Sequence, residues 1–322
     1  MEKLNDTRPL GATERPRFSE RSAAPTAMAI RFDGRVAIVT GSAAGLGRCY
    51  AEFLASRGAC VLVNDLDLAA VEAVVARIRE SGGAAFPCAA SVTDGAEAIV
   101  GAALGQWGRV DIVVCNAGLL RDQAFHRMTP ANFDQVLRVH LFGTFAVLHA
   151  AWPHMRRAGY GRVVLITSIN GLYGTYGQAN YSSAKAAMVG LAKTLAIEGK
   201  KPGIKVNALA PGASTAMTKT ILPSELVEKW KPEFVVPCLA FLCAEQVPCT
   251  GCIFESGGGW MSQVRWQRSP GAYFDIDHGF TPEDIQSSWD KVTDFRDGVA
   301  PEEEGTATGI NTPQLTQILS RL

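Results

Sequence analysis

The chain has 322 residues, of which 47% are hydrophobic and 19% are charged. These proportions are typical of a globular protein with one large domain and a sizeable core. Lys and Arg together number 31, as do Asp and Glu, so that the net charge is zero. Proteins that bind nucleic acids or membrane surfaces normally carry a basic excess, so the composition argues against both classes. No apolar run approaches the length of a membrane span.

Residues 1–30 are polar, contain prolines and show no apolar periodicity, which predicts a disordered leader. From residue 31 onwards, apolar runs of strand type alternate with amphipathic segments. Strands are predicted in RVAIVTG, CVLVND, AAFPCAA, VDIVVCNAG, RVVLITS, IKVNALAP and GCIFESGGG. Helices are predicted between them, including one capped by Thr129 with Pro130 at its first position and one over residues 180–199.

This alternation predicts an α/β fold, a doubly wound parallel sheet of about seven strands known as the Rossmann fold. We expect this domain to cover residues 31–270. Residues 271–322 break the alternation and are predicted to form a C-terminal extension with helices, the first of them a capped helix in TPEDIQSSWDKV.

A glycine-rich turn, TGSAAGLGR at residues 40–48, joins the first predicted strand to the first predicted helix. Glycine permits a tight turn and lets the backbone approach a pyrophosphate, which the start of the helix then stabilises. The position of the turn therefore predicts a dinucleotide site. Its predicted contacts are Gly41, Ser42, Gly45, Leu46 and Gly47.

Asp65 ends the second predicted strand, twenty residues after Gly45. A carboxylate at this point accepts hydrogen bonds from both ribose hydroxyls and repels a 2′-phosphate, which favours NAD over NADP. Arg48, beside the glycine turn, favours NADP, because an arginine can accommodate the 2′-phosphate. It lies on the predicted helix rather than after the second strand, so NAD is the predicted cofactor.

Tyr181 and Lys185 lie four residues apart in YSSAKAAM, which places them on one face of the predicted helix. An ordinary amphipathic helix has this spacing too. A free tyrosine has a pKa of about 10 and is a poor base at neutral pH. We expect the neighbouring ammonium and a positive nicotinamide ring to lower the pKa of Tyr181. Ser168 lies thirteen residues earlier, at the end of the fifth strand.

The glycine spacing, CNAG at residues 115–118, Ser168 and YSSAK together resemble the classical short-chain dehydrogenases/reductases, over residues 31 to about 260. The resemblance implies that Tyr181 is the general acid/base, that Ser168 holds the substrate oxygen and that Lys185 also binds the nicotinamide ribose. It implies no metal. Further cofactor contacts that it implies are Asn116, Ala117, Gly118, Pro211, Gly212 and Thr218, with Asn207 nearby.

Two positions depart from the family pattern. Ser91, followed by Val92, stands where the family usually has an aspartate that contacts adenine. We keep both as predicted cofactor contacts. His140 in RVHLFG stands where many members have an asparagine that completes a catalytic tetrad through a bound water. A lone histidine is usually a packing residue, so participation in the proton relay and a packing role both stay open for His140.

Longer segments, including GLYGTYGQANYSSAK and FESGGGWMSQVRWQRSPGA, resemble the (3R)-hydroxyacyl-CoA dehydrogenase unit of the peroxisomal multifunctional enzymes. This resemblance implies NAD-dependent oxidation of (3R)-hydroxyacyl-CoA to 3-ketoacyl-CoA by a homodimer or homotetramer. Arg265 and Arg268 are candidates for contact with the anionic coenzyme A, and also for solvated surface arginines. One alternative is a 17β-hydroxysteroid dehydrogenase. Another is a non-catalytic NAD sensor, against which the intact set of Ser168, Tyr181 and Lys185 argues.

The sequence ends in Ser-Arg-Leu, a near variant of the peroxisomal address Ser-Lys-Leu. We expect a cytoplasmic enzyme, or a peroxisomal one if the cell is eukaryotic. Cys249 and Cys252 form a Cys-x-x-Cys pair, but a lone pair is weak support for zinc or redox chemistry.

Overall fold

The computed structural model describes residues 29–214, 229–300 and 320. By internal contacts the chain divides into Met1–Ile30 and Arg31–Leu322, and every element named below belongs to the second unit. Residues 1–28 of the predicted leader, Thr218, and residues 301–319 and 321–322 of the predicted C-terminal extension lie outside the described residues. The predicted domain limits stay predictions.

Eight strands form one sheet in the order β3-β2-β1-β4-β5-β6-β7-β8. The first seven strands in sequence are parallel to one another. The strands are β1 (Val36–Thr40), β2 (Cys60–Asp65), β3 (Ala84–Ala89), β4 (Ile112–Cys115), β5 (Gly161–Ile166), β6 (Ile204–Gly212), β7 (Ile253–Gly257) and β8 (Trp260–Val264).

The helices connect these strands and cover both faces of the sheet, which confirms the predicted doubly wound fold. The helices are α1 (Gly45–Ser56), α2 (Leu68–Glu80), α3 (Ala96–Trp107), α4 (Pro130–Leu137), α5 (Gly143–Ala158), α6 (Ile169–Tyr173), α7 (Ala179–Gly199), α8 (Val236–Cys243), α9 (Pro282–Ser287) and α10 (Trp289–Val292). Within the described ranges, none of them combines the length and the apolar character needed to cross a membrane.

The core follows from the near-continuous apolar strands. Every residue of β1, β4 and β5 is buried, as expected for strands packed on both faces. On one face, Ile38 and Leu165 join Met155 of α5 and Met188 of α7 in a single buried cluster. Helices α1, α2 and α8 pack on the sheet as well. The strand order reverses between β1 and β4, and this switch point is where such sheets bind ligands.

An eighth strand was not predicted. Gly257 pairs with Trp260 across a two-residue turn, and β8 returns antiparallel to β7. The turn residues Gly258 and Gly259 have φ values of 56° and 84°, which glycine adopts without steric cost. The Gly-Gly pair before WMSQV is therefore the signal in the sequence that predicts this hairpin.

The helix predicted to begin after Thr129 does so, because the Thr129 side chain accepts a hydrogen bond from Asn132 N and Pro130 follows as the first helical residue. From α4 the chain runs through one turn of π-helix, Arg138–Phe142, into α5. The helix predicted in TPEDIQSSWDKV is divided at Ser288 into α9 and α10.

Candidate active site

Several of the predicted site residues lie where parallel strands end. The glycine turn follows β1, Asp65 ends β2, and Asn116 follows β4. Ser168 lies two residues beyond β5, and Gly212 ends β6. Carboxyl ends of parallel strands lie at one edge of a sheet, so the fold brings these residues to one edge, on both sides of the switch point.

The glycine turn is built for close approach of backbone to backbone. Gly41 has a φ of 63°, and a Cβ on it would lie 2.7 Å from Ala117 Cα. A Cβ on Gly47 would lie 2.1 Å from the Gly41 oxygen. Asn116 Nδ2 donates to the oxygens of Thr40, at 3.1 Å, and Gly41, at 2.8 Å. Asn116 thus holds the turn in a shape that fits a dinucleotide pyrophosphate.

Asp65 and Ser42 lie beside this turn with different surroundings. Asp65 Oδ2 accepts from Ala43 N at 3.1 Å, which holds the half-buried carboxylate next to the turn. Ser42 is fully buried, donates to the Val39 oxygen at 2.7 Å and accepts from Asn64 N at 3.0 Å. The Ser42 side chain therefore fastens the turn to the sheet.

Ser91 and Val92 follow β3 and belong to its loop. Ser91 Oγ lies 2.7 Å from Thr93 Oγ1 and accepts from Thr93 N at 3.2 Å. Val92 is buried, and a Cβ on Gly143 would lie 2.5 Å from its Cγ2. Val92 therefore packs against the start of α5.

Ser168, Tyr181 and Lys185 form the predicted catalytic group. Ser168 caps α6 and is 8% exposed, and its hydroxyl hydrogen-bonds to Tyr181. Lys185 Nζ lies 5.7 Å from the Tyr181 ring centroid and donates to the Ile166 oxygen at 2.6 Å. The fold thus brings the serine hydroxyl, the phenol and the amine together, as the thirteen- and four-residue spacings predict.

The electrostatics of this group differ from the expectation. Burial lowers the pKa of Lys185 to about 7. Burial also raises the pKa of Tyr181 above its usual value; the Ser168 hydrogen bond opposes the rise, and the charge of Asp122 adds to it. The expected lowering of the Tyr181 pKa is therefore wrong for the chain by itself, because desolvation of the phenolate prevails.

His140 lies in the π-helical turn and is 3% exposed. Its ring meets the Tyr181 ring edge-on, with the centroids 5.2 Å apart. Nε2 lies 3.1 Å from Leu119 N and 2.8 Å from Leu119 O, so the tautomer decides whether it accepts or donates. Burial, and then the Lys185 charge, lower the pKa of His140 to about 3, so the imidazole is neutral at physiological pH. In the described part of the chain Nδ1 has no hydrogen-bond partner.

Two predicted residues have a structural role. A Cβ on Gly118 would lie 2.2 Å from His140 Cε1, so Gly118 makes room for that ring. Asn207 is fully buried in the middle of β6, donates to the Cys249 oxygen at 3.2 Å and accepts from Cys252 N at 3.0 Å. Asn207 therefore fixes the turn before β7, whereas the sequence placed it near the nicotinamide.

Arg265 and Arg268 follow β8, which is antiparallel. Val264 at the end of β8 pairs with Ile253 at the start of β7. Both arginines therefore follow the end of β8 that lies at the amino end of the parallel strands, whereas the candidate site of the same chain lies at their carboxyl end.

Large exposed apolar side chains lie in the segments that follow β4 and β5. Phe125 follows β4, and the others follow β5 in α6 and the loop after it. Between 45% and 87% of each side chain is exposed, and the residues are Phe125, Ile169, Tyr173 and Tyr176. Ile169 adjoins Ser168 in the chain, and the hydrogen bond from Gln123 N to the Gly177 oxygen joins the two segments.

The polar residues that join the segments after β4 and β5 are not predicted by the sequence pattern. Gln178 donates to Asp122 Oδ2 at 2.7 Å and accepts from Asn170 Nδ2 at 2.7 Å. Asp122 and Gln178 are 56 residues apart, and neither follows a periodic pattern that marks a site. The only local signal is that Asn170 and Gln178 lie within the stretch between Ser168 and Tyr181.

The sequence pattern of the short chain dehydrogenase family matches residues 35–226. A mouse peroxisomal multifunctional enzyme type 2 is 46% identical over 290 residues, which are 87% of this chain and 39% of the mouse protein. The chain therefore spans less than half the length of that relative.

Solved structures agree with this result. The full-length peroxisomal multifunctional enzyme type 2 from Drosophila melanogaster aligns with a TM-score of 0.77 and 36% identity, over 91% of this chain and 51% of that one. A 7α-hydroxysteroid dehydrogenase in complex with NADH and 7-oxo glycochenodeoxycholic acid aligns with a TM-score of 0.67 and 31% identity, over 71% of this chain and 95% of that one. With its glycine turn, its serine, tyrosine and lysine, and these relatives, the chain belongs to the short-chain dehydrogenase family of nicotinamide-dependent oxidoreductases.

Proposed function

We propose that this chain oxidises the (3R)-hydroxyl group of 3-hydroxyacyl-CoA to a ketone, with NAD as the acceptor. The arrangement of Tyr181 between Ser168 and Lys185, at the edge of the sheet that carries the glycine turn, supports the reaction type. The acyl-CoA substrate follows from the resemblance to the multifunctional enzymes, to which 87% of this chain aligns. Apolar Phe125, Ile169 and Tyr173 near Ser168 suit an acyl chain.

In this mechanism Tyr181 takes the hydroxyl proton of the substrate while Ser168 holds the same oxygen. The bound nicotinamide supplies the hydride acceptor. Ser168 Oγ accepts from Asn170 N at 3.2 Å, so its own proton is available to the substrate oxygen or to Tyr181. Lys185, with a pKa of about 7, gains or loses a proton at little cost near neutral pH and supports the charge change at Tyr181.

We propose NAD rather than NADP because Asp65 lies beside the turn, where its charge repels a 2′-phosphate. Arg48, the residue that favours NADP, lies on α1 and approaches Glu52 to 3.9 Å, one helical turn further along. The proposed cofactor contacts are Gly41, Ser42, Gly45, Leu46, Gly47, Asp65, Ser91, Val92, Asn116, Ala117, Gly118, Tyr181, Lys185, Pro211, Gly212 and Thr218.

We propose that His140 joins the proton relay as a neutral group. Its Nε2 is engaged with Leu119, whereas Nδ1 is buried and has no partner among the described residues. Nδ1 is therefore the atom that can hydrogen-bond to a water in the relay.

The test of the substrate is a panel of (3R)- and (3S)-hydroxyacyl-CoAs and 17β-hydroxysteroids, each with NAD and with NADP. We expect the highest kcat/KM with a (3R)-hydroxyacyl-CoA and NAD. Preference for (3S) substrates contradicts the proposal. Preference for the steroids favours the second candidate function, a hydroxysteroid dehydrogenase, which the structural likeness to the 7α-hydroxysteroid enzyme supports.

We also propose a homodimer or homotetramer. Phe142 and Phe145 are 56% and 52% exposed at the start of α5, and Ile197 of α7 is 64% exposed. Side chains of this kind are commonly buried between subunits. Light scattering at micromolar concentration should give twice or four times the chain mass, and a monomer contradicts the proposal.

For the location we propose the cytoplasm in a bacterium and the peroxisome in a eukaryote, since the mouse relative is named as peroxisomal. A fluorescent protein fused to the N-terminus of the chain should enter yeast peroxisomes. Removal of the last three residues should leave it in the cytosol. Diffuse signal from the full chain contradicts peroxisomal import.

A further inference from the structure

The loop after β4 is joined to the start of α7 by three hydrogen bonds, and we name residues 121–123 and 177–180 the seam. Asn180 Nδ2 donates to the Arg121 oxygen at 2.9 Å, and Gln123 N donates to the Gly177 oxygen at 2.8 Å. The third bond is that of Gln178 to Asp122. Tyr181 follows the seam directly, so these contacts fix the position of the phenol's own helical turn.

One chain of hydrogen bonds runs from the seam to the catalytic serine. The Asp122 carboxylate orients the Gln178 amide by accepting from Nε2, which turns the Gln178 oxygen towards Asn170 Nδ2. Asn170 N in turn donates to Ser168 Oγ. An exposed carboxylate is therefore linked, through the Gln178 amide and then through the side chain and the backbone N–H of Asn170, to the hydroxyl that binds Tyr181.

The charges around Tyr181 give Asp122 a second role. The groups that face the phenol are Lys185 of the same helix, α7, His140 of the π-helical turn and Ser168 before α6. His140 is neutral at physiological pH. In the seam itself, the Arg121 guanidinium is directed to Gln135 Oε1 and the Leu120 oxygen.

Asp122 is the acidic group that acts on Tyr181. Its negative charge raises the pKa of Tyr181, adding to the larger effect of burial. A carboxylate near a phenol stabilises the protonated form, since the phenolate carries the same sign of charge.

We propose that Asp122 is a positioning residue of the dehydrogenase, which holds Ser168 against Tyr181 through Gln178 and Asn170 and sets the pH range in which Tyr181 accepts the substrate proton. This inference rests on the proposed function only in that the chain oxidises an alcohol through Tyr181. Any alcohol that the enzyme turns over serves to test it.

The deciding variant is Asp122→Asn, whose side-chain oxygen still accepts from Gln178 while the charge is lost. Oxidation needs the phenolate, so kcat rises with pH as Tyr181 loses its proton. Without the Asp122 charge, the midpoint of that rise should move to lower pH, with KM nearly unchanged. The matched control is Glu72→Gln, which removes an exposed carboxylate from α2 and should leave the midpoint in place.

Gln178→Ala keeps the charge and breaks the chain of hydrogen bonds. We expect kcat to fall roughly tenfold, because Ser168 and Tyr181 lose their alignment, with little change in KM. A shifted pH midpoint in Asp122→Asn reports the electrostatic role of Asp122. A lowered kcat in Gln178→Ala reports the positioning role.

A direct titration of Tyr181 tests the role of Asp122 without measuring turnover. Tyrosinate absorbance is recorded against pH for the cofactor-free enzyme, and the curve of Tyr181→Phe is subtracted to isolate Tyr181. We expect Tyr181 to ionise at lower pH in Asp122→Asn than in the unchanged chain, with the same circular dichroism. If Asp122→Asn does not fold, Asp122→Ser repeats the test with a smaller neutral acceptor.

An unchanged Tyr181 titration in a folded neutral variant overturns the inference. If no hydroxyacyl-CoA is oxidised, the titration still decides the role of Asp122 and only the proposed substrate fails. If the substrate is oxidised and the pH midpoint does not move, the proposed function stands and only the role of Asp122 fails.

Discussion

The two ends of the sheet bury polar and charged groups to a similar extent, but these groups have different numbers of hydrogen-bond partners at the two ends. At the amino end, Arg162 is 5% exposed and donates to four backbone oxygens, those of residues 161, 203, 244 and 245, and its guanidinium lies 4.3 Å from the centre of the Tyr160 ring. Fully buried Asp111 accepts from Val36 N and from the side chains of Arg35 and Arg109.

At the carboxyl end, Lys185 is 4% exposed and its side chain donates to a backbone oxygen, that of Ile166. Buried His140 has a ring nitrogen without a partner in the described part of the chain. A buried polar group thus supports stability when its hydrogen bonds are complete, and it becomes available for chemistry when they are not.

The largest expected effect is at the carboxyl end. Lys185→Met replaces the amine by an apolar side chain of similar length and should lower kcat about a thousandfold, because Tyr181 loses its electrostatic support. Stability should not fall, since the variant removes a costly buried charge. Steady-state kinetics and urea unfolding measure the two effects. A variant that keeps its activity and loses stability contradicts the comparison.

The same variant has a distinctive dependence on pH. The pKa of Lys185 is about 7 in the folded chain and near its ordinary value of 10.5 in the unfolded chain. Between these values the unfolded state binds more protons, so Lys185 makes stability rise with pH from about 7 towards 10.5. Lys185→Met should therefore exceed the unchanged protein in stability most clearly below pH 7, with the difference decreasing as the pH rises through that window. Urea unfolding at several pH values measures it.

At the amino end we expect the opposite pattern. Asp111→Ala leaves the buried Val36 N–H without its acceptor and should lower the free energy of unfolding by roughly 2–3 kcal/mol. The kcat of the folded fraction should not change. Asp134→Asn, at an exposed ion pair with Arg138, is the control and should leave both quantities unchanged. Loss of kcat in folded Asp111→Ala would mean that the two ends are not independent.

A smaller effect is expected at Asp65, which belongs to the cofactor half of the carboxyl end. Asp65→Ser should raise KM for NAD by about 10- to 100-fold, as expected for the loss of hydrogen bonds to a charged group. The preference for NAD over NADP should narrow. Asp67→Asn, which keeps the cap of α2, is the control, and an unchanged KM in Asp65→Ser speaks against its contact with ribose.

The smallest effect is expected for His140→Asn. Asparagine can also bond to Leu119, so the loop keeps its position, and kcat should fall by less than about tenfold. His140→Ala should lose more. Because the pKa of His140 is about 3, its ionisation should not contribute to the pH profile between about 5 and 9, and a histidine step in that range contradicts the assignment. Kinetics across pH provide the measurement.

The cofactor half of the site was readable from the sequence because local spacing determines it. The glycine turn, Asp65, and the pair of Tyr181 and Lys185 each depend on a single strand, turn or helix, so their positions followed from the pattern. The direction of the Tyr181 pKa did not, because burial depends on the whole fold. The hydrogen bond from Gln178 to Asp122 joins two segments that are far apart in the sequence, so no periodic sequence pattern predicts it.

We propose that Tyr181 moves the substrate proton, and that the glycine turn and Asp65 bind NAD without needing the Tyr181 hydroxyl. The most direct test is Tyr181→Phe, which removes one hydroxyl and keeps the ring beside His140. We expect kcat to fall by about a hundred- to ten-thousandfold, while the Kd for NAD measured by calorimetry stays within about twofold of that of the unchanged chain. Full activity in Tyr181→Phe would contradict the account.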